Sequence, residues 1–181
     1  GGEGAVAGLV DITDAGAILT TGERANAIKG QSIGGGGGDG GAAFNLGAPG
    51  NSDSYSLEIT SGGDGGTGAT SGTVSITNLG QLETQGDDAA AIFAQSIGGG
   101  GGNGGLAGNI SVVRASESNS ALFLIYNLGG NGGTGGASSA VNVSNGTADN
   151  AAATILTLGE ASHGIYAQSI GGGGGRCARQ A

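Results

Sequence analysis

Cysteine is almost missing from this chain of 181 residues: Cys177, among the last five positions, is the one example. No internal disulfide framework and no multi-thiolate metal site can be built from it. Aromatic side chains are nearly as scarce, with only Phe44, Phe93, Phe123, Tyr55, Tyr126 and Tyr166, which excludes a core dominated by rings. Burial falls instead to Ile, Val, Leu and Ala stacked in thin layers. Basic residues number five against fourteen acids, and the net charge of −9 repels a polyanion and leaves no basic stripe for phosphate contacts. Nucleic acid is therefore excluded as a partner. A single histidine, His163, without a cysteine cluster gives zinc or iron no ligand set. No apolar run approaches the roughly eighteen residues of a membrane helix, and no charged start leads into an apolar segment. The chain opens on Gly1 rather than methionine, which reads as an internal segment or a processed product.

What the chain has in excess is glycine, 46 residues, several times the usual share of about 7%. The glycines are organised. Gln-Ser-Ile followed by five glycines occurs three times, at Gln31 to Gly38, Gln95 to Gly102 and Gln168 to Gly175. An aliphatic tetrad precedes each copy: Ala27-Ile28-Lys29-Gly30, Ala91-Ile92-Phe93-Ala94 and Gly164-Ile165-Tyr166-Ala167. The repeat motif residues are thus Gln31, Ser32 and Ile33, Gln95, Ser96 and Ile97, and Gln168, Ser169 and Ile170.

Short segments with apolar residues at period two precede each copy, which argues for strands rather than helices. They are Val10–Thr13 and Ala17–Thr20, then Thr73–Thr77 and Gln81–Thr84, then Val141–Ser144 and Thr154–Leu158. Val10, Val74 and Val141 fall 64 and 67 residues apart, and the three Gln-Ser-Ile motifs 64 and 73 apart. Such loose spacing fits rungs of a solenoid, whose insertions leave as loops, better than a propeller or a helical array. The expected fold is all-β: one repeat domain, a parallel β-helix or β-solenoid with glycine-rich insertions, in units of roughly 1–64, 65–131 and 132–181. Within Ile92–Ser96, the inner face is expected to carry Ile92, Ala94 and Ser96, because the alternate position accepts Lys29, Phe93 and Tyr166. The glutamines then point outward, as a hydrogen-bonding ladder or turn anchor. Inserts carrying Tyr55–Ile59, Asn109–Val113 and Ala121–Tyr126 are expected to form additional or partial rungs. The last is so apolar that it must be either buried or an exposed edge needing cover.

Ordering five glycines costs roughly 1–2 kcal/mol of backbone entropy per residue, with no side chain buried in return. Two readings stand: flexible surface loops, or extended polyglycine segments lying side by side and sharing backbone hydrogen bonds. A phosphate cradle needs a following helix and usually a lysine, and neither is present. Gly34-Gly35-x-Gly37-x-Asp39 matches the start of a calcium β-roll nonapeptide, but Gly41 stands where the aliphatic residue belongs, and Asn103 and Arg176 replace the carboxylate in the other copies. No metal or cofactor is expected.

Gly30-Gln31-Ser32-Ile33-Gly34 has the form of a nucleophile elbow, yet Ala94 and Ala167 replace its first glycine while Gln, Ser and Ile persist. Ser32 is one of three structural serines. His163 occupies a turn position that the other copies fill with Asn26 and Ala90. Carboxylates paired across rungs, such as Asp11 or Asp14 with Glu83, remain an open arrangement. No catalytic residue is assigned.

The repeated Ala-Ile-x-Ala-Gln-Ser-Ile-Gly-Gly-Gly-Gly-Gly-x-Gly-Gly, as at Ala91 to Gly105, resembles the glycine-rich passenger repeats of bacterial autotransporter (type V secreted) proteins. The resemblance covers the three units. It implies a right-handed β-helical passenger, displayed on the cell surface or released from it, with a membrane attachment only through a translocator barrel that these residues do not contain. The function expected is non-enzymatic: a structural or adhesive segment that spaces, self-associates or stacks on neighbouring repeats, with a host or surface glycan or protein as a further partner. The alternatives are a ligand-binding module for glycan or ice on a glycine-rich face, and a β-helical polysaccharide-acting enzyme whose acids would include Asp87 and Asp88.

Overall fold

A computed structural model describes residues 1–47, 55–111, 122–146 and 153–178. Thirteen strands run through them: β1 (Val10–Asp14), β2 (Ala17–Thr20), β3 (Ile28–Ile33), β4 (Ala43–Gly47), β5 (Tyr55–Ser61), β6 (Val74–Asn78), β7 (Gln81–Thr84), β8 (Ile92–Ile97), β9 (Ala107–Ser111), β10 (Leu122–Leu128), β11 (Val141–Asn145), β12 (Thr154–Thr157) and β13 (Ile165–Ile170). Every pairing among them is parallel, and the described residues contain no helix.

Three sheets of three strands make the main body, in the orders β1-β6-β11, β2-β7-β12 and β3-β8-β13. Each sheet takes one strand from each repeat, and the strands of the middle repeat lie at the centre. Like sits on like: Val10, Val74 and Val141 share one register, and so do Ile28, Ile92 and Ile165. The offset between the second and third units is 67 residues at Asn78 and Asn145 but 73 at Gln95 and Gln168. The extra residues therefore lie between β11 and β12 and leave the registers intact.

The three sheets turn their aliphatic faces onto one core. Val74, Ile76, Leu82, Ala91, Ile92 and Ala94 are buried, with Ile12, Ile18, Val143 and Ile155 packed against them from the flanking units. The alternation expected for Ile92, Ala94 and Ser96 is present, all three being fully buried. The core is narrow at this point. A Cβ on Gly30 would lie 3.2 Å from both Val74 Cγ1 and Ile76 Cδ1, which limits the position to Gly or Ala.

Between body strands the chain leaves along an outbound glycine tract (34–42, 98–106, 171–178) and comes back along a return tract (1–9, 62–73, 129–140). These tracts are ordered against one another. Gly98 donates an N–H bond to Ile170 at the end of β13, and Gly101 and Gly104 donate to Gly173 and Arg176 of the next outbound tract, each at 2.8 Å. Gly99, Gly102 and Gly105 donate to Ala69, Gly66 and Gly63 of a return tract at 2.8–2.9 Å. Partners recur every third residue, the period of a chain that turns once in three residues and carries no internal hydrogen bonds. Exposure follows the same beat, with Asn131, Thr134 and Ala137 open to solvent and Gly130, Gly133 and Gly136 buried. Of the two sequence readings, flexible loops and bonded polyglycine, the second describes these tracts.

Beyond the glycine layer, β4 pairs with β9 and β5 with β10. β4 has no counterpart among the expected strands. β9 is Ala107–Ser111 rather than Asn109–Val113, whose last two positions lie outside the described residues, as do Ala121 and residues 179–181.

Candidate functional surface on the third sheet

The outer face of the β3-β8-β13 sheet carries the chain's most concentrated chemistry. Parallel in-register pairing puts Lys29, Phe93 and Tyr166 in one row and Gln31, Gln95 and Gln168 in the next. Phe93 and Tyr166 stack with centroids 5.1 Å apart and planes 7° from parallel, and Lys29 Nζ lies 5.3 Å from the Phe93 centroid. The glutamines form an amide ladder. Gln31 Nε2 donates to Gln95 Oε1 at 2.7 Å, Gln95 Nε2 to Gln168 Oε1 at 2.9 Å, and the Tyr166 hydroxyl to the same Gln168 oxygen at 3.2 Å.

On the other side of this sheet, the motif serines latch the return tract to the body. Ser32 Oγ donates to the Gly8 carbonyl and accepts from the Gly72 N–H, both at 2.8 Å. Ser96 Oγ lies 2.7 Å from Ser71 Oγ, donates to the Gly72 carbonyl and accepts from the Ser139 N–H. Ser169 Oγ donates to the Ser139 carbonyl at 2.8 Å. Ile33, Ile97 and Ile170, the last strand residues, hand over to the glycine tracts; Ile33 is exposed on the outer unit. Ser32 is thus held by backbone rather than by a base, and the elbow motif has no elbow here.

The turn entering this sheet repeats too. Arg24, Asp88 and Ala161 occupy equivalent positions with φ of 57°, 54° and 53°, in the left-handed region. Neighbouring turns are cross-tied: Asn26 Oδ1 accepts the Ala90 N–H and Asp87 Oδ1 accepts the Glu160 N–H, each at 2.7 Å. Arg24 Nε lies 3.9 Å from Asp88 Oδ2, an exposed pair of little energetic weight. The His163 ring is tilted against Tyr166 at 5.7 Å, with Nδ1 3.0 Å from the Ala161 carbonyl oxygen. Arg24, Asn26, Asp88, Phe93, His163 and Tyr166 together line a cavity of about 360 Å³. In an otherwise acidic chain, this face gathers Arg24, Lys29 and the lone histidine around two rings.

Other sequence candidates are not brought together. Asp11 lies in register with Ser75, whereas Glu83 lies in another sheet between Leu19 and Leu156. Asp14 Oδ1 accepts the Gly16 N–H at 3.3 Å, a corner role. Asp39 is used by its neighbour: Oδ1 accepts both the backbone N–H and the side-chain amide of Asn103, and Asn103 Oδ1 accepts the Arg176 N–H. Among the described residues, no group of three or more His, Cys, Asp and Glu side chains is placed to hold a metal ion. Cys177 is exposed and free.

Corner residues escaped the sequence reading. Asn78, fully buried, accepts the Gly80 N–H and donates to Asn145 Oδ1 at 2.7 Å, and Thr84 Oγ1 donates to the Ala89 carbonyl. Their signal was present, since Asp14 and Asn78 each stand two residues before a glycine.

No family model, no curated protein and no solved structure matches this chain.

Proposed function

We propose that this chain is a section of a β-solenoid displayed at a bacterial cell surface, as a non-enzymatic structural or adhesive element of the kind found in glycine-rich autotransporter passengers. The observation that carries the reading is the way units join. Each body strand of the middle unit, β6, β7 and β8, pairs on both sides with its equivalents, and the glycine tracts bond across units as well. Such a scaffold lengthens by repetition and transmits rigidity along its axis, which suits spacing and display. Its scarcity of cysteine and lysine accords with export. The test is protease accessibility on intact source cells. Expected is cleavage of the chain without lysis; protection until the cells are broken would overturn the reading.

A second reading, a glycan-binding module, is favoured by the cavity beside Phe93 and Tyr166. Ring edges, Arg24 and the Asn26 amide would contact a sugar through apolar and hydroxyl-directed interactions. Tyr166→Ala should then abolish retention on a glycan array while leaving the fold intact, and unchanged retention would remove this cavity from consideration.

A further inference from the structure

In the lobe beyond the glycine layer, strand β5 is built inside out. In β5, Ser56, Glu58 and Thr60 turn inward while Leu57 and Ile59 are 62% and 64% exposed. β10 follows in register, with Leu124 beside Leu57 and Tyr126 beside Ile59, 62% and 55% exposed, while its alternate row puts Ile125 beside Glu58, so β10 is apolar on both faces. The inward row meets the β4-β9 sheet, where Ser111 Oγ donates to Glu58 Oε2 at 3.2 Å and the Glu58 carboxylate lies over Gly47. Thr60 is buried with an unpaired hydroxyl, and Asn109 and Asn127 also hold unpaired polar atoms. The body does the reverse, with aliphatics in and polar residues out. Period two alone tolerates either arrangement, but an uncovered apolar face forfeits the burial that would stabilise the lobe.

We propose that the β5-β10 outer face is a self-association surface, covered by the same face of a second copy of this chain. The inference goes beyond the display reading and names a surface for the self-association expected from the sequence. Leu57, Ile59, Leu124, Tyr126 and Leu128 make a flat face without a charged residue, so a partner selected by charge finds nothing to grip. Two flat, uncharged sheet faces are self-complementary and pack about 10 Å apart. At roughly 100 Å² exposed per large side chain, the five offer about 500 Å², a pair of copies burying about 1,000 Å², within the range of weak specific contacts. A lipid bilayer fits poorly, because among the described residues each strand of a two-stranded sheet keeps one edge without a strand partner, and hydrocarbon does not tolerate open edges. Nine glycine-tract residues at about 3.1 Å each carry the lobe roughly 28 Å from the body, clear of its bulk. Along a stack of units, several such weak contacts add as avidity.

The experiment is sedimentation equilibrium of the purified full chain across a thousandfold concentration range. Wild type is expected to self-associate, and Leu57→Thr/Leu124→Thr/Tyr126→Thr to require at least tenfold higher concentration while keeping its β circular dichroism. Phe44→Thr, on the outer side of the opposite sheet, should associate as wild type does. A monomeric wild type, an unaffected triple variant, or an equal effect of Phe44→Thr would each overturn the assignment. So would binding of wild type, but not the triple variant, to neutral phosphatidylcholine vesicles without self-association, which would give the face to lipid. If the triple variant loses its β signal, Leu124→Cys with Cys177→Ser replaces it: mild oxidation should yield a disulfide-linked dimer with this variant and not with Phe44→Cys/Cys177→Ser, and linkage of both alike, or of neither, would sink the proposal. Neither result depends on where the protein resides, so protease protection on cells would fail the display reading and leave this one standing.

Discussion

At the scale of single residues, position within a glycine tract matters more than membership of it. Gly98, Gly99, Gly101 and Gly102 each approach a neighbouring tract so closely that an added Cβ would run into the carbonyl of Gly136, Gly35, Gly133 or Gly38. Gly100 faces away, its nearest such atom 3.7 Å off. An alanine scan over these five should therefore be sharply uneven. Gly100→Ala is expected to change stability by less than about 1 kcal/mol, and the other four to cost roughly 3 kcal/mol or more, because backbone cannot swing aside as a side chain can. Thermal or urea melting decides it, and a uniform tolerance would restore the flexible-loop reading. Ser96→Ala makes a second case. It removes the hydroxyl that serves the Gly72 carbonyl, Ser71 and the Ser139 N–H, all in a fully buried site, and should cost about 1–3 kcal/mol. Ser96→Cys, which fits the space but bonds weakly, should recover little of it.

At the scale of elements, equivalent strands have unequal energetic weight. Ile92 and Ile165 occupy the same register position in β8 and β13, yet Ile92 is fully buried between two flanking strands and Ile165 is 45% exposed on an outer one. Ile92→Ala should cost about 2–5 kcal/mol and Ile165→Ala less than half as much, as read from denaturant midpoints. Equal costs would mean that the outer strands are covered in solution. The body strands were legible beforehand because Val-x-Ile and Ile-x-Ala-x-Ser declare an alternating face, and the repetition of Lys29, Phe93 and Tyr166 told which side was out. β4 was not legible. Ala43-Phe44-Asn45-Leu46-Gly47 has no β-branched residue, and its partner β9 puts Gly108 opposite Phe44, so the two segments do not look alike. The phase of the glycine tracts was written in the sequence and overlooked: Asp64, Thr67 and Thr70 recur every third residue and mark the solvent face. The inverted polarity of β5 was beyond reach, since alternation reveals that two faces differ and says nothing of which one a neighbour covers.

At the scale of the whole molecule, stability should behave as a sum over neighbouring units rather than as a property of one core. The body core is assembled from three sheets that each draw a strand from every unit, and only the middle unit has equivalents on both sides. In a one-dimensional assembly of this kind, adding an internal unit adds its own folding cost and one more interface, and the interface dominates when the added unit is buried as completely as β6, β7 and β8. Duplicating residues 74–140 in tandem tests this directly, because Val74 and Val141 share a register and the inserted stretch has the 67-residue spacing already present. The lengthened chain should keep its β signature and melt at a higher temperature, with a steeper denaturant dependence from the additional surface buried. Amide exchange should show two fully protected units where there was one, since strand N–H groups of inner units are bonded on both sides. If instead the melting point were unchanged and the inserted unit exchanged independently, the units would be separate folding bodies, and a rigid stack able to hold a surface or a partner at a fixed distance would lose its physical basis.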